Sequence, residues 1–393
     1  MPEARSAAIG VYVGVGGRDE ADDVAGASHF LEHLLFKGTA TRSARDIAER
    51  IDATGGDMNA YTSREHTAFY ARVPARDRAE TMDLLLDVLA QPALRPNEVE
   101  AERDVILEEL SAAEDNPEDV VHMRLAEALY PAHPLGREVL GTEASIEAMT
   151  RDDIAAFHDV WYRPANLVVA VAGDVEHEQC LAALDGFEGA GPGGERPSRL
   201  PPEATPVPEL VERLPVDQAH LALGWWTISH DDPDRYPLAY ANYVLGGGTA
   251  SRLFQKVREE RGLAYAVFSA VSLNVDRGSM TVYAATSPSK LAEVLAIVEE
   301  QVAALATDGI TADEHTLARG YLEGSLLLGL EDAGSRMGRL GRSLLTRGSV
   351  EPVEEHLERL RAVSIDDVQR VLATVLSGPR ALAAVGPFDE LPA

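Results

Sequence analysis

The chain has a single cysteine, Cys180, among 393 residues, so neither an intrachain disulfide nor a cysteine-built zinc site is open to it. Lysine is nearly as scarce: Lys37, Lys256 and Lys290 are the only three among 35 basic residues, and the rest are arginine. Those 35 face 65 acidic residues, a formal net charge of −30. So large an excess of negative charge repels polyanions. It argues against nucleic acid and anionic membrane surfaces as partners, and favours solubility and basic or neutral ligands. No apolar run approaches the roughly 18 residues of a membrane span. The opening MPEARSAAIGVYVGVGG also lacks the basic start and apolar core of a secretory signal. With a lone cysteine, these absences lead us to expect a reducing, cytoplasmic location.

What is present is a globular composition, 45% hydrophobic and 25% charged, at a length comfortable for two domains. Glu188 to Leu210 holds six prolines and four glycines, which reads as an extended linker. We therefore expect an N-terminal domain over 1–187, a linker over 188–210 and a C-terminal domain over 211–393. The two halves read as diverged copies. TRDDIAAF from Thr150 parallels SIDDVQRV from Ser364, VVAVAGDV from Val168 parallels LAAVGPF from Leu382, and NEVEAERDVILEEL from Asn97 parallels DEHTLARGYLEGSL from Asp313. The second copy has Ala318 and Ser325 where the first has Glu102 and Glu109.

Within each half, Ala8–Gly16 and His66–Val73 read as strands by alternation and β-branched or aromatic content. ASHFLEHLLF, SARDIAERIDAT, RAETMDLLLDVLA and NEVEAERDVILEELSAAED read as helices, with Ser43 and Asn97 as N-caps. Strand and helix blocks do not alternate regularly. The expected class is α+β: two homologous domains, each a mainly antiparallel sheet packed against helices.

The segment ASHFLEHLLFKGT, from Ala27, places His29 and His33 four apart with Glu32 between them. On a helix these three share a face. Two neutral imidazoles at that spacing clamp zinc, and a neighbouring carboxylate suits work on water. Catalytic zinc takes three protein ligands, so a third is sought on the helix from Asn97. At roughly 100° per residue, Val99, Ile106, Leu110 and Ala113 mark its buried face. Glu102 and Glu109 lie together on the edge of that face, and Glu108 points to the opposite side. On the wheel alone, Glu102 and Glu109 are equally readable as a solvated helix edge. A second glycine-rich run, LGGGTASRLFQ from Leu245, lacks the ending and the preceding strand of a phosphate loop.

HFLEHLLFKGT, GGDMNAYTSREHTAFYARV, ERDVILEEL, HPLGREVLGT and WYRPANLVVAVAGDV together resemble the pitrilysin-type, inverted-motif zinc peptidases. Within that family the chain resembles bacterial homologues of the mitochondrial processing peptidase β subunit. The resemblance implies two clamshell halves and one zinc per chain, bound by His29, His33 and Glu109. Glu109 stands 76 residues after His33, the separation that family uses. It implies Glu32 as general base, Glu102 as a glutamate orienting a zinc-binding histidine, and Asn59 and Ala60 as part of an edge strand that pairs with substrate backbone. It further implies that Arg258 and Tyr265 hold the substrate carbonyl and stabilise the oxyanion, with Arg261 rejected by spacing.

The activity implied is zinc-dependent endopeptidase cleavage of peptides or small unfolded proteins inside a closed dimeric chamber. A homodimer is expected, with a heterodimer with a paralogue as the alternative. The rival function is a non-catalytic structural or partner subunit of a processing peptidase-like complex. Members of that family also carry a strand ahead of the point where this chain begins. The first domain is thus expected to lack it, to start at an internal methionine, and to leave a sheet edge exposed.

Overall fold

Short-period alternation and long-period amphipathic runs divide the chain into the following elements in the computed structural model, which describes Met1 and residues 3–391. The strands are β1 (Ser6–Val13), β2 (Asp57–Thr62), β3 (Thr67–Pro74), β4 (Leu167–Gly173), β5 (Leu210–Arg213), β6 (Ala219–Trp226), β7 (Ala264–Ser272), β8 (Ser279–Thr286) and β9 (Arg380–Gly386). The first helices are α1 (Ala27–Leu35), α2 (Ala44–Thr54), α3 (Arg78–Ala90), α4 (Pro96–Asp115), α5 (Pro117–Leu129), α6 (Glu143–Ala148), α7 (Arg151–Trp161) and α8 (His177–Ala183). The later ones are α9 (Arg235–Asn242), α10 (Leu291–Asp308), α11 (Ala312–Gly329), α12 (Ala333–Arg347), α13 (Val353–Ala362) and α14 (Ile365–Leu376). Among the described residues no helix is long and apolar enough to cross a membrane.

These elements form two compact units, each drawn from both halves of the sequence. Unit 1 comprises residues 1–111, 138–198 and 327–350, and unit 2 comprises residues 112–137, 199–326 and 351–393. Each half of the chain thus lends a helix to the other half's unit, α12 to unit 1 and α5 to unit 2. A linear division at the proline- and glycine-rich stretch does not contain this exchange. That stretch, residues 188–209, has no helix or strand.

Unit 1 is built on an antiparallel sheet of order β2-β3-β1-β4. Ile9, Val11 and Val13 on one face of β1 join Phe30, Leu31 and Leu34 of α1 in one buried cluster. Burying a Leu or Phe side chain contributes about 1.5–3 kcal/mol, so this contact fixes α1 against the sheet. The opposite face of β1 presents Ala8 and Tyr12 to α12, where Tyr12 Oη donates to Met337 Sδ at 3.2 Å.

Unit 2 repeats the plan with the order β5-β9-β6-β8-β7, antiparallel except for the parallel β5–β9 pair. Leu221, Leu223 and Trp225 of β6 face the main core, and Ala222 faces Val121 and Leu125 of α5. Trp226 Nε1 donates to the Leu129 carbonyl at 2.8 Å and ties α5 to the strand.

The α+β class is as expected, and so is the internal repeat. The paired segments TRDDIAAF and SIDDVQRV become α7 and α14, each opened by a reciprocal capping box, Thr150 with Asp153 and Ser364 with Asp367. β5 has no counterpart among the described residues of unit 1, where β4 is the edge of the sheet. Ser43 caps α2 as expected. Asn97 does not cap α4. The helix starts one residue earlier, at Pro96, and the Arg95 carbonyl accepts from the Glu98 and Val99 amides. Proline is favoured at a first helical position because its missing N–H is an orphan there in any case.

Close approach of α12 to β1 depends on Gly341, since a Cβ at that position would lie 2.0 Å from the Tyr12 ring. Gly341→Leu is therefore expected to destabilise the protein by about 1–3 kcal/mol through overpacking. Urea unfolding checks this, with the midpoint falling and the helical signal at zero denaturant retained.

Candidate metal centre

The helix that carries His29, Glu32 and His33 is positioned at its start by a buried carboxylate. Glu20 accepts from the Gly26 amide and from the Ser28 amide, both at 2.7 Å. An anion there satisfies two orphan N–H groups and complements the helix dipole. Gly26 itself is left-handed at φ +94°, a conformation that favours glycine. From this start α1 turns Phe30, Leu31, Leu34 and Leu35 inward, and His29, Glu32 and His33 emerge together on its other face, half-buried.

Helix α4 supplies the partners. Its buried positions are Val99, Glu102, Ile106 and Leu110, the stripe expected from periodicity with Glu102 drawn into it. His33 Nδ1 donates to Glu102 Oε2 at 3.1 Å. That bond places the lone pair of His33 Nε2 on the opposite side of the ring, 3.5 Å from Glu109 Oε2. His29 Nε2 lies 3.6 Å from the same oxygen. The three donor atoms all fall within 4.8 Å of one another. Ligands about 2.0–2.1 Å from a tetrahedral zinc would be roughly 3.3–3.4 Å apart, and the two separations from Glu109 Oε2, 3.6 Å to His29 and 3.5 Å to His33, are close to that spacing. Burial, then the neighbouring His33, pushes the His29 imidazole down to about 4, which keeps its ring neutral. With the proton on Nδ1, His33 Nε2 and Glu109 Oε2 face each other at 3.5 Å as two lone-pair donors that a cation between them would satisfy. The residues present therefore fit a zinc ion. Glu108 is exposed and lies outside this cluster.

Glu32 stands beside the cluster. Burial raises its pKa; the Thr62 hydroxyl and then His33 pull it back, and Glu109 adds a smaller upward push. Thr62 Oγ1 donates to Glu32 Oε2 at 2.5 Å. Thr62 is the last residue of β2, an outer strand that pairs with β3 on one side only. Asn59 and Ala60 lie on the same strand, opposite Tyr70 and Phe69 of β3. Asn59 is exposed, and Ala60 packs partly against the core beneath α1.

Arg258 and Tyr265 belong to unit 2 and are close to one another. The Arg258 guanidinium sits 4.5 Å from the Tyr265 ring centre and 4.9 Å from that of Phe254, and donates to the Tyr265 carbonyl at 2.9 Å. Stacking on two rings holds the planar group at little entropic cost. Phe254–Glu259 is π-helical, a local widening that re-aims side chains and recurs at functional positions. Tyr265 is 81% exposed, unusual for an aromatic side chain. Arg261 instead meets Glu293 at the surface, 3.5 Å away.

Three further residues escape a reading of the sequence: Thr62 on Glu32, Lys37 on Glu102, and Phe254 under Arg258. Phe254, four residues before Arg258, carried a helical-spacing signal. The other two contacts exist only through tertiary placement.

The family described as Insulinase (Peptidase family M16) matches residues 1–143, and the one described as Peptidase M16 inactive domain matches residues 148–322. A protein named as an uncharacterized zinc protease of Mycobacterium leprae is 43% identical over 394 residues, covering 99% of this chain and 88% of that one. The chain belongs to peptidase family M16. Another relative, named as an uncharacterized zinc protease of Bacillus subtilis, is 36% identical over 391 residues, with 100% and 95% of the two chains covered. Among solved structures, a peptidase M16 inactive domain from Pseudomonas fluorescens has a TM-score of 0.92 at 22% identity, covering 100% of this chain and 95% of that one. A protease from Helicobacter pylori has a TM-score of 0.90 at 22% identity, with 97% and 94% covered. These two likenesses show the fold. The match of an inactive-domain family to the second part of this M16 chain agrees with the lack of a second H-x-x-E-H there.

Removing the anchor of α1 tests what positions the site. Glu20→Ala is expected to cost about 1–2 kcal/mol, the range for a lost helix cap, read as a lower urea midpoint of the purified protein.

Proposed function

We propose that this chain is a zinc-dependent endopeptidase that cleaves peptides or small unfolded proteins. The observation that carries the reading is the convergence of His29, His33 and Glu109 on one point with Glu32 beside them. Zinc held by those three residues, one per chain, supplies a Lewis acid for the scissile carbonyl and acidifies water at neutral pH. Glu32 is the general base. Thr62 holds one of its oxygens, which leaves the other to take a proton from the attacking water and pass it to the leaving nitrogen as the C–N bond breaks. Glu102 keeps His33 in the tautomer that presents Nε2. Asn59 and Ala60 lie on an outer strand with one side unpaired within its sheet, suited to receiving an extended substrate by β-augmentation. This mode reads backbone rather than side chains.

Arg258 and Tyr265 hold the substrate carbonyl and stabilise the oxyanion in this proposal. The stacked guanidinium and the exposed tyrosine support that role, since both are pre-set and reachable. Because the chain carries both the zinc residues and this pair, a homodimer enclosing a chamber is the arrangement we favour over a heterodimer with a paralogue. The rival, a non-catalytic structural subunit, is disfavoured because such a subunit has no use for three converging ligands and a half-buried carboxylate beside them.

The test is hydrolysis of a mixed set of quenched fluorogenic peptides by the purified protein, with and without a zinc chelator, alongside Glu32→Gln. Chelation is expected to abolish cleavage and zinc to restore it. Glu32→Gln is expected to retain zinc while losing a factor of about 10²–10⁴ in rate, the usual worth of a positioned base. Full activity in the variant would remove Glu32 from its role, and zinc-loaded protein with no cleavage of any peptide would favour the structural subunit.

A further inference from the structure

The buried carboxylate of Glu102 divides its two oxygens between two partners. Oε2 accepts from His33 Nδ1 at 3.1 Å, and Oε1 meets Lys37 Nζ at 2.6 Å. Glu102 is 6% exposed, and an ionised carboxylate at that depth is costly unless paired. Among the described residues Lys37 is the one full cation within ion-pair distance of it. Lys37 is itself pinned. Its amide donates to the Leu34 carbonyl at 3.0 Å, and its own carbonyl accepts from Arg95 Nη1 at 3.2 Å. It lies two residues past the last residue of α1, where the helix dipole also favours a cation.

The choice of residue is informative. The chain uses arginine for nearly all of its 35 basic positions, and spends one of only three lysines here. Lys256 pairs with Glu260 on the surface and Lys290 reaches the Gly262 carbonyl. An arginine fork matches a carboxylate two bonds at a time. At Glu102 it would claim both oxygens and draw Oε2 away from His33. A lysine is a point charge that can be satisfied by one oxygen.

We propose that Lys37 is a positioning residue of the metal centre. It holds Glu102 by Oε1 alone, so that Oε2 stays on His33 Nδ1 and the opposite nitrogen of that ring faces Glu109. This rests on the reading of His29, His33 and Glu109 as zinc ligands. It adds a residue that touches neither metal nor substrate.

The experiment is zinc affinity, measured by competition with a chromophoric chelator, for the wild-type chain, Lys37→Met, Glu102→Gln and the double variant. Lys37→Met is expected to bind zinc 10- to 100-fold more weakly, the range for loss of an outer partner of a metal ligand. The double variant is expected to be no weaker than Glu102→Gln alone, because Lys37 acts through Glu102. Lys37→Arg, which keeps the charge and so guards against a variant that fails to fold, is expected to bind more weakly than wild type as well. Wild-type affinity in Lys37→Met overturns the proposal, and so do losses that multiply in the double variant. Wild-type affinity in Lys37→Arg overturns the single-oxygen argument. A wild-type chain that takes up no zinc overturns the ligand reading itself, which separates that failure from failure of Lys37.

Discussion

The hydrogen bond from His33 to Glu102 joins two helices whose bonded residues are 69 apart in sequence, and the candidate metal centre hangs on it. It fixes which imidazole nitrogen carries the proton and thereby aims the other at Glu109. Glu102 and Glu109 are two helical turns apart, about 10 Å along α4, so one helix grips His33 from one side and meets it again on the other. The arrangement tolerates little slippage. A helix as short as α1 is not stable in isolation. Its place comes from the burial of Phe30, Leu31, Leu34 and Leu35 and from the Glu20 carboxylate at its start.

Much of this was legible in the residues because it is periodic. The spacing of His29, Glu32 and His33 needs only helical geometry to bring them to one face, and the same geometry separated Glu109 from Glu108. The repeat was legible as well, since capping boxes are local and Thr150 and Ser364 announce their helices within four residues. The cap at Asn97 failed because two local signals competed and proline at the first helical position won. Thr62, Lys37 and the crossed helices α5 and α12 were not legible. Each depends on segments distant in sequence meeting in space, and no local pattern encodes where a strand end or a lysine tip will arrive.

The second unit shows what the same fold does without the histidine and glutamate cluster. By the repeat spacing, Ala318 of α11 takes the place of Glu102, and it too is fully buried. A carboxylate there would need a cation and a histidine to repay its desolvation. A small apolar residue fills the buried position without that cost. The equivalent of β2 is β7, which carries Tyr265, and the helical segments before it contain the π turn that carries Arg258. One unit gathers its histidines and glutamates along two facing helices, and the other carries Arg258 on a widened helix and Tyr265 on an exposed stretch of strand.

The exchange of α5 and α12 bears on how the chain acquires its structure as it is synthesised. Tyr12 of β1 finds its partner Met337 only 325 positions further along the chain. The first unit therefore cannot close until α12, deep in the second half, has been made. For most of translation, the Ala8 and Tyr12 face of its sheet has no cover, and closure waits on a contact of very high sequence separation. By contrast, α5 is made before the sheet it will cover. Vectorial synthesis thus leaves unit 2 free to finish soon after its last strand emerges, whereas unit 1, begun first, passes a long interval as an open sheet in need of protection from aggregation.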